Sequence, residues 1–490
     1  MPENYRGEYP PRRRRKRVPK WKRMLRKYWP PIRFGLICLA LLLAVVFAVS
    51  GVVNLIRGGV DKPDSEELNV TTEATEPTLS EEELLHMAEE IAEEAEWMSL
   101  GYDYLGAIEL IQSFEQYQDY DFLTAAISKY DELDNQLISY PDMDKITHIF
   151  FHSLIVDTDR AFDGDSDQRG YNQYMTTIAE FEAILQSMYD KGYILVSPYD
   201  VAYEVTAGAG YTYFVYGDIR LPEGKIPFLM SQDDLNYYGY MIGDIDGKNE
   251  TPAVASPNGD GFATKLVIGD DGFVTCEYMD AQGNITYGDY DLVPILEKFI
   301  QEHPDFSYHG ARAMLGVTGY EGVFGYRTKP SYEAALGTEA YQREIVEAKK
   351  IAEALKAQGY LVVSHSYGHP AYGNIEAPNV EADSDKWENT VQIIVGETDI
   401  ILYPHGSDIA GTEQYTMDNA KFAALYEDGY RYFFNVDGSK YWCQLGSNYY
   451  RAGRRNLDGY RMYYYPKRCQ DLFDVEDVFD PARPTPVPKI

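Results

Sequence analysis

From Thr147 onward the chain alternates between short apolar runs and amphipathic stretches, and this alternation constrains its fold most strongly. Helical periodicity is clear in IAEFEAILQSMYDKG, LVPILEKFIQEH, EAYQREIVEAKKIAEALKAQG and NAKFAALYEDG. The apolar runs typical of buried strands are ITHIFFH, YILVS, KIPFLMSQDD, ARAMLGVTG, YLVVSHS, DIILYPHGSD and YRYFFNVDG. Strands that alternate mostly with helices predict an α/β domain built on a parallel sheet or a barrel.

We place this α/β domain at residues 141–470, with an insertion at about 240–292. Within the insertion, residues 262–291 show alternating runs separated by DDG and AQGN, a pattern that predicts a β-meander. Residues 471–490 end in DPARPTPVPKI, and we expect this proline-rich tail to lie outside the core.

The N-terminal 140 residues divide into four segments. Residues 1–33 are strongly basic, and residues 34–56 are apolar and uncharged over a length that spans a ~30 Å hydrocarbon core as a helix. Residues 57–79 are acidic and polar, which indicates a flexible linker. Residues 80–140 show helical periodicity and predict a small helical stalk.

The charge of the chain is divided sharply between these parts. Residues 1–33 hold 13 of the 44 Lys and Arg side chains but only two of the 78 Asp and Glu side chains. The positive-inside rule places this basic tail in the cytoplasm, so we expect a single-pass protein of the cell membrane with its C-terminal domain outside. A cleaved signal peptide ending near AVSG (48–51) is the alternative. The acidic remainder argues against nucleic acid as a partner.

Polar side chains follow three of the predicted strands. Asp233 and Asp234 end KIPFLMSQDD, His365 and His369 follow YLVVS, and His405 follows DIILYP. In a (β/α) barrel, the C-terminal ends of the strands meet on the face where such enzymes carry out their chemistry. Two imidazoles and one carboxylate form a ligand set suited to Zn²⁺, and a second carboxylate can accept a proton from water. This combination is suited to hydrolysis of an amide or an ester.

Three short motifs give the chain a resemblance to a known family. SQDD (231–234), HSYGH (365–369) and LYPHG (402–406) resemble the T-F-D-D, H-[ST]-x-x-H and R-x-P-Y-G motifs of the polysaccharide deacetylases, the NodB-homology or carbohydrate esterase family 4 group. The second motif matches fully. The resemblance extends from Thr147 to about Tyr465, and it implies a distorted (β/α)7 barrel and a polysaccharide substrate.

The resemblance also implies a role for each matching residue. Asp233 would be the general base, and Asp234, His365 and His369 would bind a divalent metal, with Zn²⁺ expected. The backbone N–H of His405 would help to stabilise the oxyanion.

Two features of the family pattern are missing from this sequence. The arginine that pairs with the catalytic aspartate is replaced by Leu402, and Arg455 or Arg327 would have to substitute for it. No histidine follows His405, so the L-x-H motif that supplies the general acid is absent, and His405 itself or His152 would take that role.

The sequence therefore predicts a metal-dependent hydrolase that removes N-acetyl groups from a cell-wall or extracellular polysaccharide, with a peptidoglycan-type amino sugar favoured. Two alternatives stay open. One is a glycan-binding or wall-scaffolding protein on a barrel that has lost its activity, and the other is an O-acetyl polysaccharide esterase.

Overall fold

Seven parallel strands form a closed barrel, and the residues that surround its upper rim carry the polar groups singled out above. The structure, a computed structural model, describes residues 80–208, 211–243 and 251–490. Its strands are β1 (Ile138–Ser139), β2 (Thr147–Phe151), β3 (Tyr193–Leu195), β4 (Ala202–Thr206), β5 (Thr212–Tyr216), β6 (Arg220–Leu221), β7 (Ile226–Gln232), β8 (Lys265–Ile268), β9 (Val274–Met279), β10 (Ile285–Gly288), β11 (Met314–Val317), β12 (Leu361–Ser364), β13 (Ile400–Leu402), β14 (Tyr432–Val436), β15 (Cys443–Leu445) and β16 (Tyr450–Asn456).

Helices connect most of these strands and cover the outside of the barrel. Their bounds are α1 (Glu81–Leu100), α2 (Tyr104–Ser113), α3 (Asp121–Asp134), α4 (Thr158–Ala161), α5 (Gln168–Tyr174), α6 (Ile178–Asp190), α7 (Pro198–Val201), α8 (Leu292–Glu302), α9 (Glu333–Leu336), α10 (Thr338–Ala357), α11 (Ala377–Trp387), α12 (Ile393–Val395), α13 (Ala420–Glu427), α14 (Gly459–Tyr464) and α15 (Val475–Val478).

The ring of the barrel runs in the order β11, β12, β13, β14, β16, β2, β7 and back to β11. The last pairing joins Met314 to Ser231 and closes the barrel. Strand β3 lies outside this ring. It pairs with the first half of β7, whereas β11 pairs with the last two residues of β7 along the same edge and closes the barrel there. The prediction of a (β/α)7 barrel is confirmed, but YILVS is not one of its seven strands.

The seventh strand of the ring is β16, which we did not predict. Its sequence, YRAGRRN, contains three arginines, yet six of its seven residues are buried. Each guanidinium has a different carboxylate partner: Arg451 pairs with Asp408 at 3.1 Å, Arg454 with Asp233 at 2.5 Å and Arg455 with Asp471 at 2.9 Å. Burying an arginine is tolerable when it is paired and hydrogen-bonded, so ion pairs stabilise a strand that hydrophobic patterning does not reveal.

The insertion forms the predicted meander, a three-stranded antiparallel sheet in the order β10, β9, β8. At the other end of the domain, α1 begins with a capping box between Ser80 and Glu83. Helices α1 to α3 supply Ala95, Ala107 and Leu123 to the same apolar cluster as the strand residues Leu229 and Val363. These helices therefore pack against the barrel.

The C-terminal segment does join the core, which corrects the expectation of a tail without one. Leu472 and Phe473 belong to the largest apolar cluster, and Val487 is buried. Arg483 donates to Glu180 of α6 at 2.5 Å, and both side chains are fully buried. A proline-rich composition did not prevent this packing because a few apolar side chains and one buried ion pair suffice to fix the segment.

In the part of the chain that the structure describes, no helix combines the length and apolar character needed to cross a membrane. The predicted basic tail (1–33), transmembrane helix (34–56) and linker (57–79) lie outside the described residues.

Candidate metal centre and catalytic residues

Asp234, His365 and His369 meet at one point above the barrel. The Nε2 atoms of His365 and His369 are 3.2 Å apart, and Asp234 Oδ2 lies 3.8 Å from the first and 3.5 Å from the second. Zinc bonds of about 2.0–2.2 Å in a tetrahedron place ligand atoms roughly 3.4 Å from one another. The three separations fit this geometry, so these residues can hold a divalent metal ion.

The hydrogen bonds of His365 prepare it for this role. Its Nδ1 lies 2.8 Å from the carbonyl oxygen of Leu402. A carbonyl can only accept, so Nδ1 carries the proton, and in the neutral ring Nε2 is left with its lone pair towards Asp234 and His369. Metal-binding histidines are commonly oriented by such a contact on the other ring nitrogen.

The pKa shifts of His369 and Asp234 also favour binding of a metal cation. Burial, with the charge of His365, lowers the pKa of His369 although Asp234 opposes the shift. Burial would raise the pKa of Asp234, but the two histidines outweigh it and hold that pKa below its usual value. An ionised carboxylate and an imidazole whose protonated form is disfavoured are the forms that bind a metal.

The second oxygen of Asp234 is held from the opposite side. Tyr238 donates its hydroxyl to Asp234 Oδ1 at 2.5 Å, and the same hydroxyl lies 2.7 Å from Thr318 Oγ1. Tyr238 is buried, so the contact is sheltered from water. The carboxylate is therefore fixed with Oδ2 towards the histidines, by a tyrosine that sequence reasoning missed.

Asp233 lies beside this cluster and is tied to the barrel wall. Its Oδ2 is 3.9 Å from His365 Nε2, and its Oδ1 accepts from Arg454 Nη1 at 2.5 Å. Burial would raise the pKa of Asp233, but Arg454 and His365 outweigh it and hold that pKa well below its usual value. Asp233 therefore stays ionised next to the candidate metal ligands, a state in which it can accept a proton.

The arginine partner of Asp233 is Arg454, and this corrects the prediction of Arg455 or Arg327. Successive side chains of a strand point to opposite faces, so Arg454 enters the barrel while Arg455 points outward to Asp471. Arg327 donates instead to the carbonyl oxygens of Ala253 and Tyr237.

Arg454 is itself supported inside the barrel. Its Nη1 also donates to Ser231 Oγ at 3.2 Å, and its guanidinium lies 4.5 Å from the centre of the Phe150 ring. His148 Nε2 contacts the same Ser231 hydroxyl at 3.0 Å. The charge partner of Asp233 is thus held by several contacts.

Both candidate general acids lie near the cluster. The ring of His405 packs edge-on against that of His369, with centroids 4.4 Å apart. His152 follows β2, donates from Nδ1 to the carbonyl oxygen of Tyr174 at 3.1 Å, and is among the charges that lower the pKa of Asp233 and Asp234. Burial and the charge of His369 lower the pKa of His405, which disfavours its protonated form.

The backbone around the site is strained. Non-glycine residues adopt left-handed φ angles at Asp234 (58°), Tyr237 (49°), Ser366 (60°), His369 (56°) and His405 (56°). Each such residue costs roughly 1 kcal/mol or more. These sharp turns direct the side chains inward from the strand ends, so the strain accompanies the geometry of the centre.

Two other groups of potential ligands occur in the described residues, but both consist of carboxylates alone. They are Asp165, Asp167 and Asp260, and Asp385, Glu388 and Asp428. The group of Asp234, His365 and His369 differs from them by its imidazoles and by the neighbouring Asp233.

The barrel and its rim define a class of site: a two-histidine, one-carboxylate group with a second, arginine-held carboxylate beside it. No family model matches the chain, and no curated protein matches it. Among solved structures, the Streptococcus pyogenes deacetylase PplD in complex with acetate aligns with a TM-score of 0.32 and 14% identity, over 66% of this chain and 94% of that chain. The fold and the candidate site are therefore defined by this chain's own strand pairing and side chains.

Proposed function

We propose that this protein is a metal-dependent hydrolase that removes N-acetyl groups from a polysaccharide. The observation that carries the proposal is the convergence of Asp234, His365 and His369 at tetrahedral ligand distances with Asp233 adjacent to them. Their match to the deacetylase motifs in the sequence supports the substrate class.

Asp234, His365 and His369 would hold the metal, and a Zn²⁺ ion there would lower the pKa of water to about 7 and would polarise a carbonyl oxygen. Asp233 accepts the proton of the attacking water, and Arg454 keeps that carboxylate ionised and oriented. The backbone N–H of His405 is the proposed donor to the oxyanion.

His152 is the proposed general acid. Its Nδ1–H is engaged by Tyr174, which leaves Nε2 to deliver a proton. As the C–N bond breaks, the amine takes this proton and acetate is the second product. The lowered pKa of His405 makes that residue the weaker proton donor.

A barrel that has lost its activity is less well supported than it was from the sequence. That alternative depended on a missing arginine and a missing late histidine. Arg454 fills the position beside Asp233, whereas the late histidine is absent from the sequence. We further propose that the apolar segment 34–56 anchors the protein in the cell membrane, with the hydrolase domain outside and near its glycan.

The test uses the full-length protein, stripped with a chelator and reloaded with Zn²⁺, and measures bound metal and acetate release. We expect one zinc per chain and zinc-dependent acetate release from an N-acetylglucosamine polymer. Asp233→Asn should keep the zinc and lose the acetate. Release from acetylated xylan alone would establish an O-acetyl esterase, and zinc binding without release from either glycan would establish a binding protein.

A further inference from the structure

The C-terminal segment reaches the neighbourhood of the candidate site through one side chain. Arg483 is buried, and its guanidinium donates to the Glu180 carboxylate through Nε, at 2.9 Å, and through Nη2. It also donates to the carbonyl oxygens of Asn172 and Met175, each at 3.0 Å, and to Asn172 Oδ1 at 3.2 Å. All five N–H groups of the guanidinium therefore have an acceptor. Arg483 thus joins the start of α6 to the end of α5.

The two carbonyl groups that Arg483 binds lie on either side of Tyr174 in the sequence. The last turn of a helix leaves carbonyl groups without partners inside the helix, and α5 ends at Tyr174. Arg483 satisfies the carbonyl of Asn172 before this residue and that of Met175 after it. The carbonyl of Tyr174 itself accepts from His152 Nδ1 at 3.1 Å. One short turn is therefore held by a buried arginine and contacts the proposed general acid.

This carbonyl group sets the orientation of His152. The histidine follows β2, is half-buried, and packs edge-on against Phe150 with ring centroids 5.7 Å apart. A ring contact of this kind does not decide which nitrogen carries the proton. A carbonyl oxygen only accepts, so the hydrogen bond to Tyr174 keeps a proton on Nδ1 and leaves Nε2 as the nitrogen that transfers one.

The sequence DPAR (480–483) explains how Arg483 comes to lie between the two helices. The N–H of Arg483 donates to the carbonyl oxygen of Asp480 at 3.0 Å, which closes a turn whose second residue is a proline with a preset φ. The carboxylate of Asp480 accepts from Thr177 Oγ1 at 2.8 Å, at the start of α6. The turn is thus anchored to α6, and Arg483 extends from it to α5.

We propose that Arg483 is a positioning residue for His152, and that it acts through the carbonyl group of Tyr174. The inference rests on the proposed function, since it assumes that His152 protonates the departing amine. Without the guanidinium, the end of α5 loses three hydrogen bonds, so the Tyr174 carbonyl and the ring of His152 can reorient. An amine leaving group needs the proton, whereas an aryl oxide leaves without it.

The main variant is Glu180→Gln/Arg483→Met, which removes both charges of the buried pair and leaves neither one unpaired. Glutamine can also keep the capping contact of residue 180 with Thr177. In full-length, zinc-loaded protein, we expect kcat for acetate release from a β-1,4-linked N-acetylglucosamine tetramer to fall about tenfold or more, with KM within about twofold. The rate of aryl acetate hydrolysis should stay within about twofold.

The matched control is Glu297→Gln/Arg312→Met. Arg312 and Glu297 form the same kind of buried pair, and Arg312 also donates to backbone carbonyl oxygens. This pair precedes β11 and therefore lies at the end of the barrel opposite the candidate site. The control should lose thermal stability as the main variant does but keep kcat for the tetramer within about twofold.

A second variant, Arg483→Lys, covers the case in which the main variant does not fold. Lysine keeps a charge beside Glu180, but it lacks the planar fork that binds two carbonyl groups at once. It should therefore show the same selective loss of tetramer hydrolysis. Equal losses for the tetramer and the aryl acetate would overturn the positioning role.

A double-mutant cycle with His152→Ala tests whether Arg483 acts through this histidine. In the His152→Ala background, the substitutions at Glu180 and Arg483 should change kcat for the tetramer by less than about twofold, because the group that they misplace is already absent. The same loss in both backgrounds would show that Arg483 acts independently of His152, and it would overturn the proposal.

Nitrogen NMR of isotope-labelled histidine gives a readout that needs no turnover. At alkaline pH, the His152 ring should show a single tautomer with the proton on Nδ1 in the wild type and in the control, and a mixture of tautomers in both Arg483 variants. The signal is identified by its loss in His152→Ala. An unchanged signal would overturn the positioning role. If the wild type releases no acetate from either substrate, the proposed function falls, while this signal still decides whether Arg483 orients His152.

Discussion

Arg454 and Arg455 are neighbours on one strand but act on opposite sides of it. Arg454 donates to Asp233 inside the barrel, and Arg455 donates to Asp471 outside it. The pair provides a natural comparison, because both arginines are buried and both bind an aspartate, while only Arg454 reaches the candidate site.

Replacing Arg454 should reduce catalysis and move its pH dependence. Without the guanidinium, the pKa of Asp233 rises, so the acidic limb of kcat/KM against pH moves to higher pH. We expect Arg454→Met to lose at least ~100-fold in kcat and Arg454→Lys to lose less, because lysine keeps the charge with a different geometry. Arg455→Met should lower the unfolding temperature but leave the pH profile of the folded protein unchanged. An unshifted profile in both Arg454 variants would contradict the assignment.

Removing the hydroxyl of Tyr238 should weaken metal binding. Tyr238→Phe frees Asp234 Oδ1, and loss of such a supporting contact typically costs 10–100-fold in metal affinity. Tyr237→Phe is the control, since the neighbouring hydroxyl donates to Asp291 at 2.7 Å. Competition titrations with a zinc chelator measure both. Equal zinc affinity in the two variants would show that Tyr238 does not position the ligand.

The two candidate acids should differ in their effect on amides and esters. Loss of a general acid typically costs 10²–10⁴-fold, and an amine leaving group needs the proton more than an alkoxide does. His152→Ala should therefore reduce N-acetyl hydrolysis far more than O-acetyl ester hydrolysis. His405→Ala, beside His369, should reduce both by a similar factor. The opposite pattern would assign the acid to His405.

Asp291 should make stability depend on pH. Burial raises its pKa to about 6 in spite of four donors to its carboxylate. The unfolded carboxyl titrates near 3.8, so the folded state holds the proton more tightly, and stability falls as pH rises from about 4 to 6.

Asparagine at this position has no charge to bury. Its Oδ1 can still accept three of the four hydrogen bonds, and its amide nitrogen can turn towards Tyr237. From pH 4 to pH 7, the free energy of unfolding of Asp291→Asn should therefore increase by on the order of 3 kcal/mol relative to that of the wild type. Urea unfolding at both pH values measures this change. A difference that is independent of pH would show that Asp291 is ionised throughout.

The candidate metal-binding group could be predicted from sequence because its signal is local. His365 and His369 are four residues apart, and Asp234 lies two residues after the end of an apolar strand. In a parallel barrel the strand ends meet on one rim, so these segments come together through the topology alone.

Arg454 could not be predicted in this way. It lies 221 positions from Asp233, in a strand whose three arginines obscure its buried character. Ion pairs replaced the apolar pattern that identifies strands, and the seventh strand of the barrel was therefore missed. YILVS shows the converse error, because a fully buried apolar run packs beside the ring without entering it.

The left-handed turns at Asp234, His369 and His405 lower the stability of the folded protein, although the candidate site is built on them. Glycine would relax each of these turns, yet at Asp234 and His369 it would also delete a proposed metal ligand, and at His405 the ring that packs against His369. Selection of variants for thermal stability alone should therefore enrich glycine at these positions and yield stable proteins without activity.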